Sequence, residues 1–236
     1  MQNGKTITCF IPAKGSSDRL PGKNILPCNG VPLVRRAVEL AHGCGVFDEI
    51  VLSTESRQVL EASSSNRGEG ALWHPRPEDL CGPRSSVWDA VKHYYRLPLF
   101  DYVMLLHPTS PCLKTETIKD ALNSMIENEG QFEALVSTSR SSPFSWGSGE
   151  HPPKFYTVKG TQFHIPRFQL NNAIFIAKLD RLLEVKNGYE LKWMPYMIPV
   201  DEAVDIDDET DFEIAEAILQ WRQNHEEAAK PATENL

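Results

Sequence analysis

Thr6-Ile7-Thr8-Cys9-Phe10-Ile11 runs without a break into Pro12-Ala13-Lys14-Gly15-Ser16-Ser17-Asp18-Arg19-Leu20-Pro21-Gly22-Lys23-Asn24. A β-branched, apolar hexapeptide ending in small, polar and basic residues reads as a buried strand that delivers a ligand-binding loop. In open α/β sheets ligands bind beyond the carboxyl ends of the strands, where this loop begins. Its small residues let backbone N–H groups approach phosphates, and Lys14, Arg19 and Lys23 can balance their charge. It is not a Walker A loop, because six residues separate Gly15 from Gly22 and Asn24 follows Lys23. Nor does it read GxGxxG. Composition alone equally allows a polar surface loop.

Moving outward, Val34, Ala37, Val38 and Ala41 have the spacing of a helix face. Asp48 to Thr54 reads as a second strand, Gln58 to Ser64 as a weak helix and Ala71-Leu72-Trp73 as a short third strand. Val87, Val91 and Tyr94 mark another helix, with Ser85 or Ser86 as its cap. Tyr102 to Leu106 is the clearest buried strand, and Ile118, Leu122 and Met125 begin the next helix. Near-continuous apolar strands alternating with helices require a mostly parallel sheet covered by helices on both faces, an α/β fold. The segment from Ser139 to Gln169, rich in Pro, Ser, Gly and aromatics, reads as an excursion from that sheet. Strand-like segments resume at Ala173 to Ala177 and near Met194 to Val200. Asp211 to Arg222 carries a helical face, and the polar chain after Asn224 reads as frayed. The expected organisation is one domain over 1–226 with a flexible tail at 227–236.

Of 236 residues, 41% are apolar and 24% charged, which suits one globular domain and excludes disorder throughout. Lys plus Arg number 24 against 32 Asp plus Glu, a formal charge of −8 that argues against a phosphate-driven nucleic-acid binder. Five cysteines without a CxxC pair point away from both a disulfide framework and a zinc ribbon. The apolar run Ile7 to Ala13 is too short for a secretory segment, and no stretch is long enough to cross a bilayer. A cytoplasmic protein with reduced thiols and no membrane partner is expected. The histidines show no metal-ligand spacing, and His93, beside Tyr94 and Tyr95, reads as structural.

Two further stretches can carry chemistry. Leu105-Leu106-His107-Pro108-Thr109-Ser110-Pro111 ends the strongest strand, and would share a cleft with the first loop if the two strands were neighbours. Alternatively, its prolines simply end the strand. In Val204-Asp205-Ile206-Asp207-Asp208-Glu209-Thr210-Asp211, extended chain puts Asp205 and Asp207 on one side. Two such carboxylates attract a divalent cation shared with substrate phosphates. The other reading is that Asp207 or Asp208 caps the last helix.

In this order and spacing the stretches resemble the CMP-nonulosonate cytidylyltransferases, the acylneuraminate, pseudaminate and legionaminate synthetases, with the CMP-Kdo synthetases as cousins. Ile11 to Asn24 is similar to the family's IPAR-xx-S-x-R-xxx-KN signature, and Leu105 to Pro111 to its LLQPTSP. Leu170-Asn171-Asn172-Ala173-Ile174-Phe175-Ile176 resembles its NGAIYI strand, Asp205-Ile206-Asp207 with Asp211-Phe212 its DIDxxxDF ending, and Arg76-Pro77 its RPxxL segment. The resemblance implies a Rossmann-like nucleotidyltransferase in which the 139–169 excursion serves dimerisation and borders the partner's site. It implies CTP held by Pro12, Ala13, Lys14, Gly15, Arg19, Lys23 and Asn24, with Arg76, Ser85 and Ser86 completing the nucleotide pocket. His107, Thr109, Ser110, Asn171 and Asn172 are then expected at the sugar acid, and Asp205 with Asp207 at Mg²⁺. Lys14, Lys23, Asp205 and Asp207 would carry catalysis. Lys14 stands where the family has Arg, His107 where it has Gln and Asn172 where it has Gly, while Gly82-Pro83-Arg84 replaces its acidic residue.

The implied reaction is cytidylyl transfer from CTP to the anomeric hydroxyl of a 3-deoxy-2-keto sugar acid, releasing pyrophosphate. Two other readings are open. A GT-A glycosyltransferase also pairs a nucleotide fold with a DxD motif, but carries it mid-chain. A non-catalytic nucleotide-binding homologue would keep the fold without transfer.

Overall fold

The strand that begins at Ile7 is an interior strand, third in order, of a seven-stranded sheet in the computed structural model, which describes residues 2–64, 70–82, 85–141 and 167–229. In chain order the elements begin with β1 (Ile7–Pro12), the two-residue partners β2 (Pro27–Cys28) and β3 (Val31–Pro32), and helix α1 (Leu33–Cys44). Next come β4 (Glu49–Thr54), α2 (Arg57–Ser63), β5 (Leu72–Pro75), α3 (Val87–Tyr94) and β6 (Tyr102–Leu106). The chain continues through α4 (Thr115–Glu127), β7 (Ala134–Ser141), β8 (Arg167–Lys178) and α5 (Leu179–Glu184). It closes with β9 (Trp193–Met197) and α6 (Glu209–Ala229).

The sheet order is β5-β4-β1-β6-β8-β7-β9. The strands from β5 to β6 pair in parallel, β8 runs antiparallel to both of its neighbours, and β9 is parallel to β7. The chain leaves β1 toward β4 and β5 and then crosses to β6 on the other side. That reversal opens a crevice beyond the carboxyl ends of β1 and β6, the standard ligand position in such sheets.

The alternation of β1 divides the core. Ile7, Cys9 and Ile11 pack with Val34, Ala37, Val38 and Ala41 of α1 and with Ile118, Leu122 and Met125 of α4. Phe10 faces the other way, with Val103 and Leu105 of β6, Trp88 and Val91 of α3, and Leu179 and Leu182 of α5. Helices therefore cover both faces, as the apolar strands require. At the end of α1, Gly45 takes φ +63°, a left-handed stop that suits glycine. Ser86, rather than Ser85, caps α3, accepting from Trp88 N at 3.2 Å.

Two expectations are revised. The ends of the Ser139–Gln169 excursion are not irregular: Ser139 pairs with Gln169, Arg140 with Phe168 and Ser141 with Arg167. They continue the antiparallel pairing of β7 with β8 beyond a register shift between Val136 and Thr138. Segment 142–166, on which the dimerisation reading falls, lies outside the described residues. The last helix does not fray after Asn224 but runs to Ala229; residues 230–236 lie outside the described residues. Among the described residues, no helix is long and apolar enough to cross a membrane. The five cysteines are free, and burial pushes the Cys44 thiol up to about 12 and Cys112 up to about 11.

Gly188 lies against Trp88, and a Cβ there would stand 2.8 Å from the indole ring. Trp88 is buried and hemmed in by Phe175 and Trp193, so it has nowhere to retreat. Gly188→Ala is expected to cost about 1–3 kcal/mol by overpacking, read as a lower urea midpoint at unchanged slope.

His74 of β5 is 4% exposed, with Nδ1 at 3.0 Å from Ser53 Oγ and Nε2 at 3.0 Å from His93 Nδ1. Burial, with His93 and Arg76 adding to it, holds its pKa down at about 4. The unfolded chain takes up this proton near pH 6.5 and the folded chain only near 4. The stability this group confers is thus complete above pH 6.5 and is lost as the pH falls toward 4. The full span corresponds to about 3 kcal/mol. His74→Gln should flatten that part of the stability–pH curve, measured by urea unfolding between pH 4 and 7. His107, shifted in the same direction, leaves a residual slope.

Candidate active site

At the end of β1 the chain stays bound to β4 for one more residue, Ala13 N donating to Ser53 O at 3.0 Å. Gly15 follows, and its N–H donates to the Glu55 carboxylate at 2.7 Å. A Cβ here would come within 2.5 Å of Ser56 Cβ, so the loop can lie this close to the end of β4 only with glycine. Gly22, at φ +66°, then turns the chain into a short 3-10 turn, Lys23–Ile25. Asn24 Nδ2 closes the loop by donating to Lys14 O at 2.7 Å.

The three basic residues of the loop go in two directions. Lys14 Nζ donates to Gly82 O at 2.9 Å, toward the segment after β5. Lys23 Nζ crosses to the far acidic stretch, donating to Ile206 O at 2.5 Å and lying 3.3 Å from Asp207 Oδ1. Arg19 pairs with the same Asp207 oxygen at 2.6 Å. Ile206 N in turn donates to Thr109 O at 2.8 Å. The first loop, the end of β6 and the acidic stretch, widely separated in sequence, therefore meet around one backbone unit.

On the Lys14 side, Arg76 is 5% exposed and gripped by Ser53, through Nε to Oγ at 3.0 Å and Nη2 to O at 3.1 Å. Burial lowers its pKa, against the pull of Cys81 and Glu55. Ser85 Oγ donates to Asp79 O at 3.0 Å, and Ser86 is taken up by its cap. Pro12 is half-buried and Ala13 buried beneath the loop.

On the Lys23 side, His107 Nδ1 lies 2.8 Å from Asn172 O. Burial pushes the imidazole pKa down, opposed by that hydrogen bond and by Asp205 and reinforced by Lys23 and Arg76. Asn172 adopts φ +56°, and its Nδ2 donates to Asp205 Oδ2 at 3.0 Å. Asn171 and Ser110 are 6% and 3% exposed, and Asn171 Nδ2 and Ser110 Oγ have no hydrogen-bond partner among the described residues. Buried polar atoms of this kind call for a ligand or a water.

The two readings of the acidic stretch divide between different residues. Asp208 and Asp211 form the helix cap: Asp211 N donates to Asp208 Oδ1 at 3.1 Å, and Asp211 Oδ2 accepts from the N–H groups of Asp207 and Asp208. Asp205 and Asp207 are left to the cleft. Among the described residues Asp205 makes no ion pair, its recorded partner being a neutral amide. Two hard oxygen donors, one of them without a cationic partner, fit a divalent ion that completes its shell with phosphate oxygens and water. Among the described residues, no group of three or more His, Cys, Asp or Glu side chains could hold a metal ion unaided.

Sequence reasoning missed Ser53 and Glu55. Both sit at the carboxyl end of β4, next to β1, so the strand-end rule that singled out the first loop would have found them once the strand order was known.

The geometry has counterparts. A family model described as Cytidylyltransferase matches residues 8–145. The CMP-N,N'-diacetyllegionaminic acid synthase of Legionella pneumophila is 31% identical over 230 residues, covering 92% of this chain and 97% of that one. The N-acylneuraminate cytidylyltransferase of Escherichia coli is 28% identical over 222 residues, and the pseudaminic acid cytidylyltransferase of Campylobacter jejuni 31% over 127. The chain spans about half the length of these two, 52% and 55%. A solved CMP:2-keto-3-deoxy-manno-octonic acid synthetase complexed with CTP shares the fold, with TM-score 0.68 at 15% identity over 92% of this chain and 99% of that one. The chain belongs to the cytidylyltransferase family.

Proposed function

We propose that this protein transfers the CMP unit of CTP to a 3-deoxy-2-keto sugar acid of the nonulosonic type. The observation that carries the reading is the meeting of Lys23, Thr109 and the Asp205–Asp207 stretch around Ile206, at the strand ends where the sheet reverses. In the reaction the anomeric hydroxyl oxygen bonds to the α-phosphorus and the bond to the β-phosphate oxygen breaks. Pyrophosphate leaves and a base takes the hydroxyl proton. Such a transfer needs little covalent help from the protein, which has to align the groups and stabilise phosphoryl charge.

Lys23, Arg19 and Lys14 supply the positive charge for the triphosphate, and backbone N–H groups of the Ser16-to-Arg19 segment supply donors. Asp207 pairs with Arg19 and Lys23. The Arg19 side chain is 67% exposed, and a pair of that kind contributes at most about 1 kcal/mol, so phosphate can displace it. Arg76, Ser85 and Ser86 border the base end of the nucleotide, and His107, Thr109, Ser110, Asn171 and Asn172 the sugar acid. Asp205 and Asp207 would hold Mg²⁺, which when bound draws charge from the phosphates and lowers the pKa of a coordinated hydroxyl. A homodimer using the 139–169 excursion belongs to the same reading, to be checked by light scattering.

The test is pyrophosphate release with CTP, Mg²⁺ and a panel of neuraminic, legionaminic, pseudaminic and Kdo-type acids. Release with one acid is expected and names the substrate; silence with all of them, in protein shown to bind CTP, would favour a non-catalytic homologue. Lys23→Ala is expected to lower kcat/KM for CTP about 100-fold or more, the scale for losing a charged group aimed at a reacting phosphate. Asp205→Asn should reduce turnover by orders of magnitude, and near wild-type turnover would remove that residue from the metal site.

A further inference from the structure

Asn172 interrupts β8 in the left-handed region, at φ +56°, a conformation that costs an L residue energy and that glycine adopts freely. A side chain retained at such a place needs a use, and here it has one. Its Nδ2 donates to Asp205 Oδ2 at 3.0 Å across 33 residues of sequence, while its carbonyl oxygen lies 2.8 Å from His107 Nδ1. One residue thus joins the end of β6 to the acidic stretch, on the side of the cleft away from Lys14.

Both bonds have a defined direction. A carboxylate only accepts, so the amide donates, and it orients Asp205 without neutralising it. A carbonyl also only accepts, so His107 carries its proton on Nδ1 and, as a neutral ring, offers Nε2 as an acceptor. Nε2 has no hydrogen-bond partner among the described residues.

We propose that Asn172 is a positioning residue: its amide aims the Asp205 carboxylate at the divalent cation while its carbonyl sets His107 to accept from a hydroxyl of the sugar acid. This rests on the cytidylyl-transfer reading for its substrate, but the tether itself is open to test without turnover. A partner that orients a ligating carboxylate commonly changes metal affinity by 10- to 100-fold when removed.

Asn172→Gly separates this role from a structural one, because glycine suits the backbone and deletes only the amide. The probe is Mn²⁺, titrated by electron paramagnetic resonance into the protein alone and into its CTP complex. The variant should melt at or above the wild-type temperature yet bind Mn²⁺ about tenfold more weakly. With the substrate acid, the apparent KM for Mg²⁺ should rise in parallel with the weaker Mn²⁺ binding. Unchanged Mn²⁺ affinity in a folded variant overturns the proposal, as does a wild-type protein that binds no Mn²⁺ in either state. Weaker Mn²⁺ binding together with silence toward every sugar acid would sink the transfer reading and leave the tether standing.

Discussion

Ile206 is held by its side chain and by both of its backbone groups, and the cleft is organised around it. Its side chain is fully buried with Cys28, Leu33, Cys112 and Ala215, under the first turns of α6. Burial of an isoleucine is worth about 2–3 kcal/mol, enough to fix the backbone on either side. The amide and carbonyl of the same residue are taken by Thr109 and Lys23. Because neighbouring side chains in extended chain alternate, sinking Ile206 turns Asp205 and Asp207 outward. Packing of one apolar residue thereby places two charged ones.

The sheet supplies the other half of the constraint. Three adjacent parallel strands, β4, β1 and β6, end on one side and deliver Glu55, the basic loop and His107 there. The antiparallel β8 then brings Asn171 and Asn172 to the same edge from within a strand rather than after one. Asn171 and Asn172 lie at the register shift of β8, between the paired positions Leu170, opposite Thr138, and Ile174, opposite Leu106. The sugar side of the cleft is accordingly built on a strand anchored on both sides of its bulge, and the phosphate side on a loop tied down through Lys14, Gly15, Arg19, Lys23 and Asn24.

Much of this was legible in the residue pattern. The apolar runs that became β1, β4 and β6 are hydrophobic because helices cover both faces, and the period of α1 survives intact in its buried face. The strand at Ala134–Ser141 was not legible, for a definite reason. Ser137 and Thr138 are buried at 0% and 2% exposure, so the pattern looks like loop. Their hydroxyls are satisfied by Asn171 Oδ1 and Tyr196 O, contacts that only the assembled sheet provides. Strand direction was equally hidden, since β8 has the same apolar run whichever way it points. The helix cap resolved itself once geometry assigned it to Asp208 and Asp211, a division of labour among four acids that spacing alone does not dictate.

The pairing of Asp207 with Arg19 and Lys23 bears on how the cleft meets an anion. Cations left bare on a surface gather dissolved anions, which an incoming phosphate must release, and binding then weakens steeply with added salt. Here two of the three cations already face a counter-ion that is part of the chain. Exchanging a tethered carboxylate for phosphate releases fewer anions into solution, so nucleotide affinity should depend on ionic strength less than three lysine and arginine charges would suggest. The protein carries its own salt into the cleft.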